Sequence, residues 1–282
     1  MTQRTFVNFN GKIIDENEPL FTSKNRAFRY GDGLFESFRA FGQKIPFFKA
    51  HFNRLLSGMK LLQMEIPLTF TEVFIQNEIQ HLLRVNKFFK STAIRFSVFR
   101  NDGGKFLPKT NTVSYLIEST PLNESGYVLN NKGLTIGIIS DFSKVTTPFS
   151  WFKSANAQLY VAAALSAQSA GWDDALLKNA KNEIMEATSS NVFFVRENYL
   201  FTPSIDTGIV KGIMRQKVIE VALKNNFVVY DEAAINEREI GTFDELFLTN
   251  SVKGIQWVSA YKSYRFFKKT AKLLIEKINR EI

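Results

Sequence analysis

A chain of 282 residues without a cysteine has no disulfide framework, no thiolate zinc site and no catalytic thiol. At that length roughly 75% of the surface of the unfolded chain can be buried, so one large core or two smaller ones need neither metal nor crosslink. The formal charge of +9, from 36 basic and 27 acidic side chains, suits an anionic metabolite, whereas no nucleic-acid-binding signature accompanies it. The densest lysines, Lys268, Lys269 and Lys272, read as the solvated face of a last helix. No run of about 18 apolar residues occurs, and residues 1–9 lack the apolar stretch of a secretory signal. The expectation is a soluble, cytoplasmic protein with no membrane and no nucleic-acid partner.

In chain order, residues 5–8 and 12–14 flank Asn10-Gly11, a dipeptide suited to a tight hairpin. Residues 34–39 alternate between two faces as a strand does, and after a turn at Gly42-Gln43 residues 45–48 are expected to complete a second hairpin. From Lys49 the period becomes that of a helix, with Phe52, Leu55, Leu56, Met59 and Leu62 on one stripe and His51 and Arg54 one turn apart. A second helix spans 71–86 and carries Val73, Ile79, Leu82 and Leu83. Strands follow at 93–99 and 112–119, the first placing Arg95 and Arg100 on opposite faces. Residues 121–132, with Pro, Gly and several Asn, form a linker between a small α+β domain (1–120) and a larger one (133–282). Beyond it, 134–139 reads as a strand, 155–170 as an alanine-rich helix opened by Lys153-Ser154-Ala155-Asn156 and stopped by Gly171, 174–177 as a strand, and 183–196 as mostly extended. A helix from Lys211-Gly212 to Lys224, strands at 244–248 and 255–258, and a terminal amphipathic helix over 264–282 complete the chain.

Two histidines, His51 and His81, are poor material for a zinc site or a Ser-His-Asp triad, so no metal is expected and both read as surface or capping residues. Neither a dinucleotide nor a nucleoside triphosphate fingerprint occurs. What remains is a lysine just before an apolar helix, with an acidic residue and a polar turn some thirty residues on. Such a pattern suits Schiff-base chemistry on an aromatic aldehyde cofactor.

Six segments then carry a resemblance. Tyr30-Gly31-Asp32-Gly33-Leu34-Phe35-Glu36, His51-Phe52-Asn53-Arg54-Leu55, Lys153-Ser154-Ala155-Asn156, Glu186-Ala187-Thr188-Ser189-Ser190-Asn191-Val192-Phe193, Gly212-Ile213-Met214-Arg215 and Asp244-Glu245-Leu246-Phe247-Leu248-Thr249-Asn250-Ser251 stand in the order found in class IV pyridoxal-phosphate enzymes. The resemblance covers nearly the whole chain. It implies a two-domain α+β fold of the class IV (D-amino acid aminotransferase-like) type, pyridoxal 5′-phosphate between the domains, a small-molecule amino substrate, and a homodimer whose sites are completed by loops of the partner subunit.

Carried onto matching positions, Lys153 is similar to the family lysine that joins the cofactor aldehyde and later moves the substrate proton. The amine must be partly neutral to attack, which burial favours. Glu186 is similar to the carboxylate facing the pyridine nitrogen, and the register of Ser189-Ser190-Asn191-Val192-Phe193 selects it over Glu183. The resemblance assigns the phosphate to Arg54, the backbone amides of Ile213 and Met214 at a helix start where Gly212 lets the backbone approach, and the Ser251 hydroxyl. Arg215 either braces that turn or touches the ligand. Tyr30, Phe35, Arg39, Arg95 and Asn250 are expected on the substrate side. Branched-chain members have an aromatic soon after the catalytic lysine, whereas here Ser154-Ala155-Asn156-Ala157-Gln158 follows, as in the D-amino acid and lyase branches. With Met214 where transaminating relatives more often have Thr, the motifs favour 4-amino-4-deoxychorismate lyase, with a branched-chain or D-amino acid aminotransferase as the alternative.

Overall fold

The structure, a computed structural model, describes residues 4–282, so the first three residues of the expected N-terminal domain lie outside the described residues. The chain forms two compact units. One comprises the residues up to Gly126 together with Phe152–Asn156, and the other Tyr127–Trp151 together with Ala157–Ile282.

In the N-terminal unit, β1 (Phe6–Phe9) and β2 (Lys12–Asp15) form the hairpin expected around Asn10-Gly11, and both turn residues have positive φ. A short helix, α1 (Arg26–Tyr30), ends at Gly31 in the left-handed region, φ 65°. Then come β3 (Gly33–Phe41), α2 (Phe48–Leu61), α3 (Glu72–Val85), β4 (Ser91–Arg100) and β5 (Val113–Pro121). The strands pair antiparallel in the order β2-β1-β5-β4-β3. Phe52, Leu55 and Met59 of α2 and Ile75, Ile79, Leu82 and Leu83 of α3 pack with Phe38, Ile94, Phe96 and Ile117 of the sheet in one core.

The structure differs from expectation at three places in this unit. The second hairpin does not form: only Phe41 and Lys44 bridge the turn, and β3 is paired along its whole length with β4, which satisfies more backbone than an arm over 45–48 would. Val73 is 68% exposed, because Thr71 caps α3 and sets Ile75, four positions before Ile79, on the inward stripe instead. Helix α1 is unexpected because five residues carry no period; it is held by its Asn25 cap, whose Oδ1 accepts from the Phe28 amide.

The C-terminal unit contains β6 (Leu134–Ile138), α4 (Gln158–Ser169), β7 (Asp174–Lys178), β8 (Ile184–Ala187), β9 (Asn191–Arg196), β10 (Tyr199–Pro203), α5 (Ile213–Lys224), β11 (Val228–Ala233), β12 (Glu245–Asn250), β13 (Gly254–Tyr261), β14 (Tyr264–Arg265) and α6 (Lys269–Asn279). Pairing runs β11-β10-β9-β12-β13-β6-β7-β8. β8 also pairs back onto β9 at Glu186 opposite Asn191, so the strands from β9 round to β8 close on themselves. Val192, Phe194, Leu246, Leu248 and Val258 gather with Ile136, Leu176 and Ile184 in the core of this unit.

The terminal helix starts at Lys269 rather than at residue 264. Tyr264 and Arg265 pair with β13, and the Glu245 carboxylate accepts the Thr270 and Ala271 amides, an acidic cap at the positive end of α6. Strand β11 is also unexpected, since Asp231 and Glu232 interrupt its apolar run and most of it is exposed. Among the described residues no helix is long and apolar enough to cross a membrane.

Candidate active site

The closure of β8 on β9 puts Glu186 in a seam where it is only 3% exposed. A carboxylate taken out of water costs several kcal/mol unless donors replace the solvent, and three do. Lys144 Nζ donates to Oε1 at 2.6 Å, the Tyr160 hydroxyl donates to Oε1 at 2.8 Å, and the Val210 amide donates to Oε2 at 2.9 Å. Lys144 is itself buried and also donates to the Gly208 carbonyl at 2.6 Å. Burial, and then the charge of Glu186, raise the Tyr160 hydroxyl far above its ordinary value, so it keeps its proton and acts as a donor. Glu183, the alternative carboxylate, instead accepts from Asn179 at 2.6 Å near the start of β8.

The same seam fixes the start of α5. Asn191 donates through Nδ2 to the Val210 carbonyl at 3.0 Å, and any Cβ on Gly212 would run into Asn191 Oδ1. Only glycine fits as the residue before Ile213, and it supplies no side-chain cap, which leaves the Ile213 and Met214 amides in an uncapped first turn. Arg215 donates through Nη2 to the Pro203 and Asp231 carbonyls at 3.1 and 2.7 Å, so it braces β10 and β11. Ser251 is buried in the turn after β12, and its carbonyl accepts from the Tyr127 hydroxyl. Asn250 shapes that turn, accepting the Val252 and Lys253 amides on Oδ1 and donating to Ser190 Oγ at 3.0 Å.

In the N-terminal unit, Lys153 does not open a helix. Its carbonyl accepts the Phe35 amide at 2.8 Å and the Ala155 amide donates to the Gly33 carbonyl at 2.9 Å, so this segment lies extended against the start of β3 and α4 begins only at Gln158. The lysine is therefore part of the N-terminal unit rather than of the C-terminal one. The close approach of Asn156 to Gly31, within 3.1–3.3 Å of where a Cβ would stand, requires glycine at the end of α1. Lys153 Nζ lies 4.8 Å from the centroid of the Phe35 ring, and the Arg95 guanidinium lies 3.7 Å from it. Tyr30 sits under Arg26, whose guanidinium is 5.0 Å from its ring. Arg39 is buried, and its Nη2 donates to the Glu124 carbonyl at 2.5 Å.

Arg54 and His51 meet a second buried carboxylate. Arg54 donates to Glu36 through Nε at 2.7 Å and Nη2 at 2.5 Å, and His51 Nδ1 lies 2.7 Å from Glu36 Oε2. His51 is 1% exposed, so its reading as a surface or capping residue is overturned; His81 is exposed, as expected. Burial alone would raise the Glu36 carboxyl, but the Arg54 charge and the His51 and Arg54 hydrogen bonds outweigh it and hold the group at about 2. Burial pushes His51 down against the opposing pull of Glu36, which leaves a neutral ring.

In the C-terminal unit, a buried carboxylate ringed by donors and an uncapped helix start preceded by glycine fit the needs of a phosphorylated pyridine ring. The sequence model of amino-transferase class IV matches residues 33–261. The chain belongs to that family. It is 31% identical, over 88% of its length and 85% of the relative's, to a protein of Methanocaldococcus jannaschii assigned as a branched-chain-amino-acid aminotransferase. It is 23% identical, over 83% of its length and 85% of the relative's, to an aminodeoxychorismate lyase of Vibrio harveyi. Its fold is similar to that of the branched-chain amino acid aminotransferase of Thermobaculum terrenum in its PLP-form, with TM-score 0.86, 24% identity and coverage of 100% and 94% of the two chains. Class IV aminotransferases are pyridoxal-phosphate enzymes, and so is this chain.

Three neighbours of the candidate site residues differ in how far the sequence shows them. Lys144 is one lysine among many and carries no signal, and Glu36 stands out only as part of a motif. Tyr160, the aromatic seven positions after Lys153, is the legible one, but the expected place for it is nearer the lysine. The Glu36 cluster also has a pH consequence. A carboxyl at about 2 in the fold against an ordinary 4.5 contributes stability that is fully present above pH 4.5 and is lost as pH falls towards 2. Urea unfolding between pH 5 and pH 3 should show wild-type stability falling with acid more steeply than that of Glu36→Gln; parallel curves would contradict the assignment.

Proposed function

We propose that the enzyme is an amino acid aminotransferase, of branched-chain or D-amino acids, with a 2-oxo acid as acceptor. The observation that carries this reading is the 31% identical relative assigned to branched-chain amino acids, which the chain matches over 85% of that protein's length. The lyase favoured by the motifs draws on a more distant relative, and the residues around Glu186 and Lys153 serve either chemistry equally.

When bound, pyridoxal 5′-phosphate supplies an aldehyde that takes up the amino group and a ring that accepts the electron pair left at the substrate Cα. Lys153 is the catalytic residue: its amine would hold the cofactor aldehyde and, once the substrate amine has displaced it, would be free to take and return the Cα proton. The Phe35 face beneath Nζ orients that amine. Glu186 holds a proton on the pyridine nitrogen, and Lys144, Tyr160 and the Val210 amide keep its carboxylate in place. Arg54, the Ile213 and Met214 amides and the Ser251 hydroxyl hold the phosphate, the amides acting through the positive end of α5. Arg95, stacked on Phe35, and Tyr30 receive the substrate, with the guanidinium suited to its carboxylate. Arg39 and Asn250 support this side through the backbone contacts they already make. A second copy of the chain completes the enzyme. Helix α4 is apolar on its outward face as well, at Val161 and Leu165, as a helix covered on both sides would be. Light scattering should accordingly give twice the chain mass, and a monomer at micromolar concentration would exclude the dimer.

Borohydride reduction of the yellow enzyme followed by peptide mapping should find the cofactor on Lys153. An adduct on Lys144 would displace the assignment. With branched-chain or D-amino acids as donors, sustained turnover is expected only when a 2-oxo acid is added. Release of pyruvate and 4-aminobenzoate from aminodeoxychorismate without any 2-oxo acid, with amino acids inert, would reinstate the lyase.

A further inference from the structure

The buried cluster of Glu36, His51 and Arg54 does more than satisfy its own charges. Glu36 comes from β3, and His51 and Arg54 stand one turn apart on α2, so a strand and a helix are tied through one carboxylate. The side chains of Glu36 and His51 are 2% and 1% exposed and that of Arg54 is 8% exposed. Breaking even with apolar packing is the common outcome for such buried ion pairs, so stability alone gives little reason for the arrangement, and fixed geometry is the better-attested use.

We infer that Glu36 and His51 are positioning residues that fix the guanidinium of Arg54 for the cofactor phosphate, an inference that rests on reading Arg54 as a phosphate holder. A single hydrogen bond lets a guanidinium pivot. Two parallel ones, Nε to Oε1 and Nη2 to Oε2, fix both its plane and its direction. They do so only if the carboxylate itself cannot turn, and His51 supplies that restraint. As a neutral ring it donates from Nδ1 to Oε2, the oxygen that also accepts Arg54 Nη2. This tautomer leaves Nε2 as the unprotonated nitrogen, consistent with a buried Nε2 that has no hydrogen-bond partner among the described residues. The Phe38 ring, 5.0 Å away, packs against the imidazole from the β3 side.

Glu36 has two effects on an anion at Arg54, and they differ in sign. Its negative charge offsets that of the guanidinium and weakens attraction, whereas its two-point contact removes the freedom that binding would otherwise have to freeze out. The inference is that the second effect dominates. It is tested by measuring the affinity of the apoenzyme for pyridoxal 5′-phosphate and for phosphate-free pyridoxal, in wild type and in Arg54→Ala, Glu36→Gln, His51→Leu and His51→Asn.

Arg54→Ala should bind pyridoxal 5′-phosphate roughly ten- to a hundredfold more weakly, the loss of one charge-assisted contact, and pyridoxal as wild type does. Glu36→Gln keeps the shape but loses one of the two parallel bonds, and should lose about tenfold for the phosphorylated ligand only. His51→Leu should fall between this variant and wild type. His51→Asn, whose amide can donate from nearly the Nδ1 position, should recover wild-type affinity. If Arg54→Ala loses phosphate affinity while Glu36→Gln binds as tightly as wild type or more so, Glu36 only neutralises charge and the inference is wrong. Equal losses for both ligands in Glu36→Gln would also overturn it, since they mark a general structural role. Unchanged affinity in Arg54→Ala would instead remove the reading of Arg54 beneath it. Should Glu36→Gln fail to fold, the two His51 variants carry the test, and equal phosphate affinities in them would count against the inference.

Discussion

Burying a carboxylate is among the most expensive things a fold can do, and Glu186 is the group around which the C-terminal unit is arranged. Its oxygens are satisfied only because β8 closes on β9, because the chain before α4 brings in Lys144, because α4 turns Tyr160 inward, and because the approach to α5 presents the Val210 amide. Asn191 joins that approach to the same seam through the Val210 carbonyl and leaves room for nothing larger than Gly212. The demand of one charge thus fixes the start of α5, whose uncapped amides are the proposed phosphate cradle.

The N-terminal unit repeats the device with different partners. Glu36 is buried as deeply as Glu186 and is met by a histidine and an arginine instead of a lysine and a tyrosine. In both places the carboxylate is surrounded by donors from other elements of its own unit, so its burial and the local geometry are set together. The lysine of the proposed chemistry is placed differently, by backbone. Two main-chain hydrogen bonds to the start of β3 hold the segment around Lys153 extended and set its amine over Phe35.

Long periodic segments such as α2, α3, α5 and the strands β4 and β5 are legible in the sequence and fall where apolar spacing puts them, because burial of one face fixes both period and register. Tertiary pairing decides the rest. Apolar residues run on from Ala155, so the sequence extends α4 back to Lys153, yet the pairing of residues 153–155 with β3 is worth more to the backbone than another helical turn. Glu186 can be chosen over Glu183 from the register of the polar turn after it, while Lys144, 42 positions earlier, becomes its neighbour because its amide is tied to the Lys178 carbonyl at the end of β7, which pairs with β8. His51 misleads for the same reason: its place beside Arg54 is visible in the helix spacing, but the strand carboxylate that buries it is not.

The central claim is that Glu186, held by Lys144, Tyr160 and the Val210 amide, is the carboxylate that keeps the pyridine nitrogen protonated. Nitrogen-15 NMR of enzyme loaded with cofactor labelled at that nitrogen reads the proton directly. Wild type should give the protonated shift, and Glu186→Gln should give the unprotonated one with cofactor still bound. A protonated nitrogen in both proteins, or a shift that moves in Glu183→Gln and not in Glu186→Gln, would contradict the account.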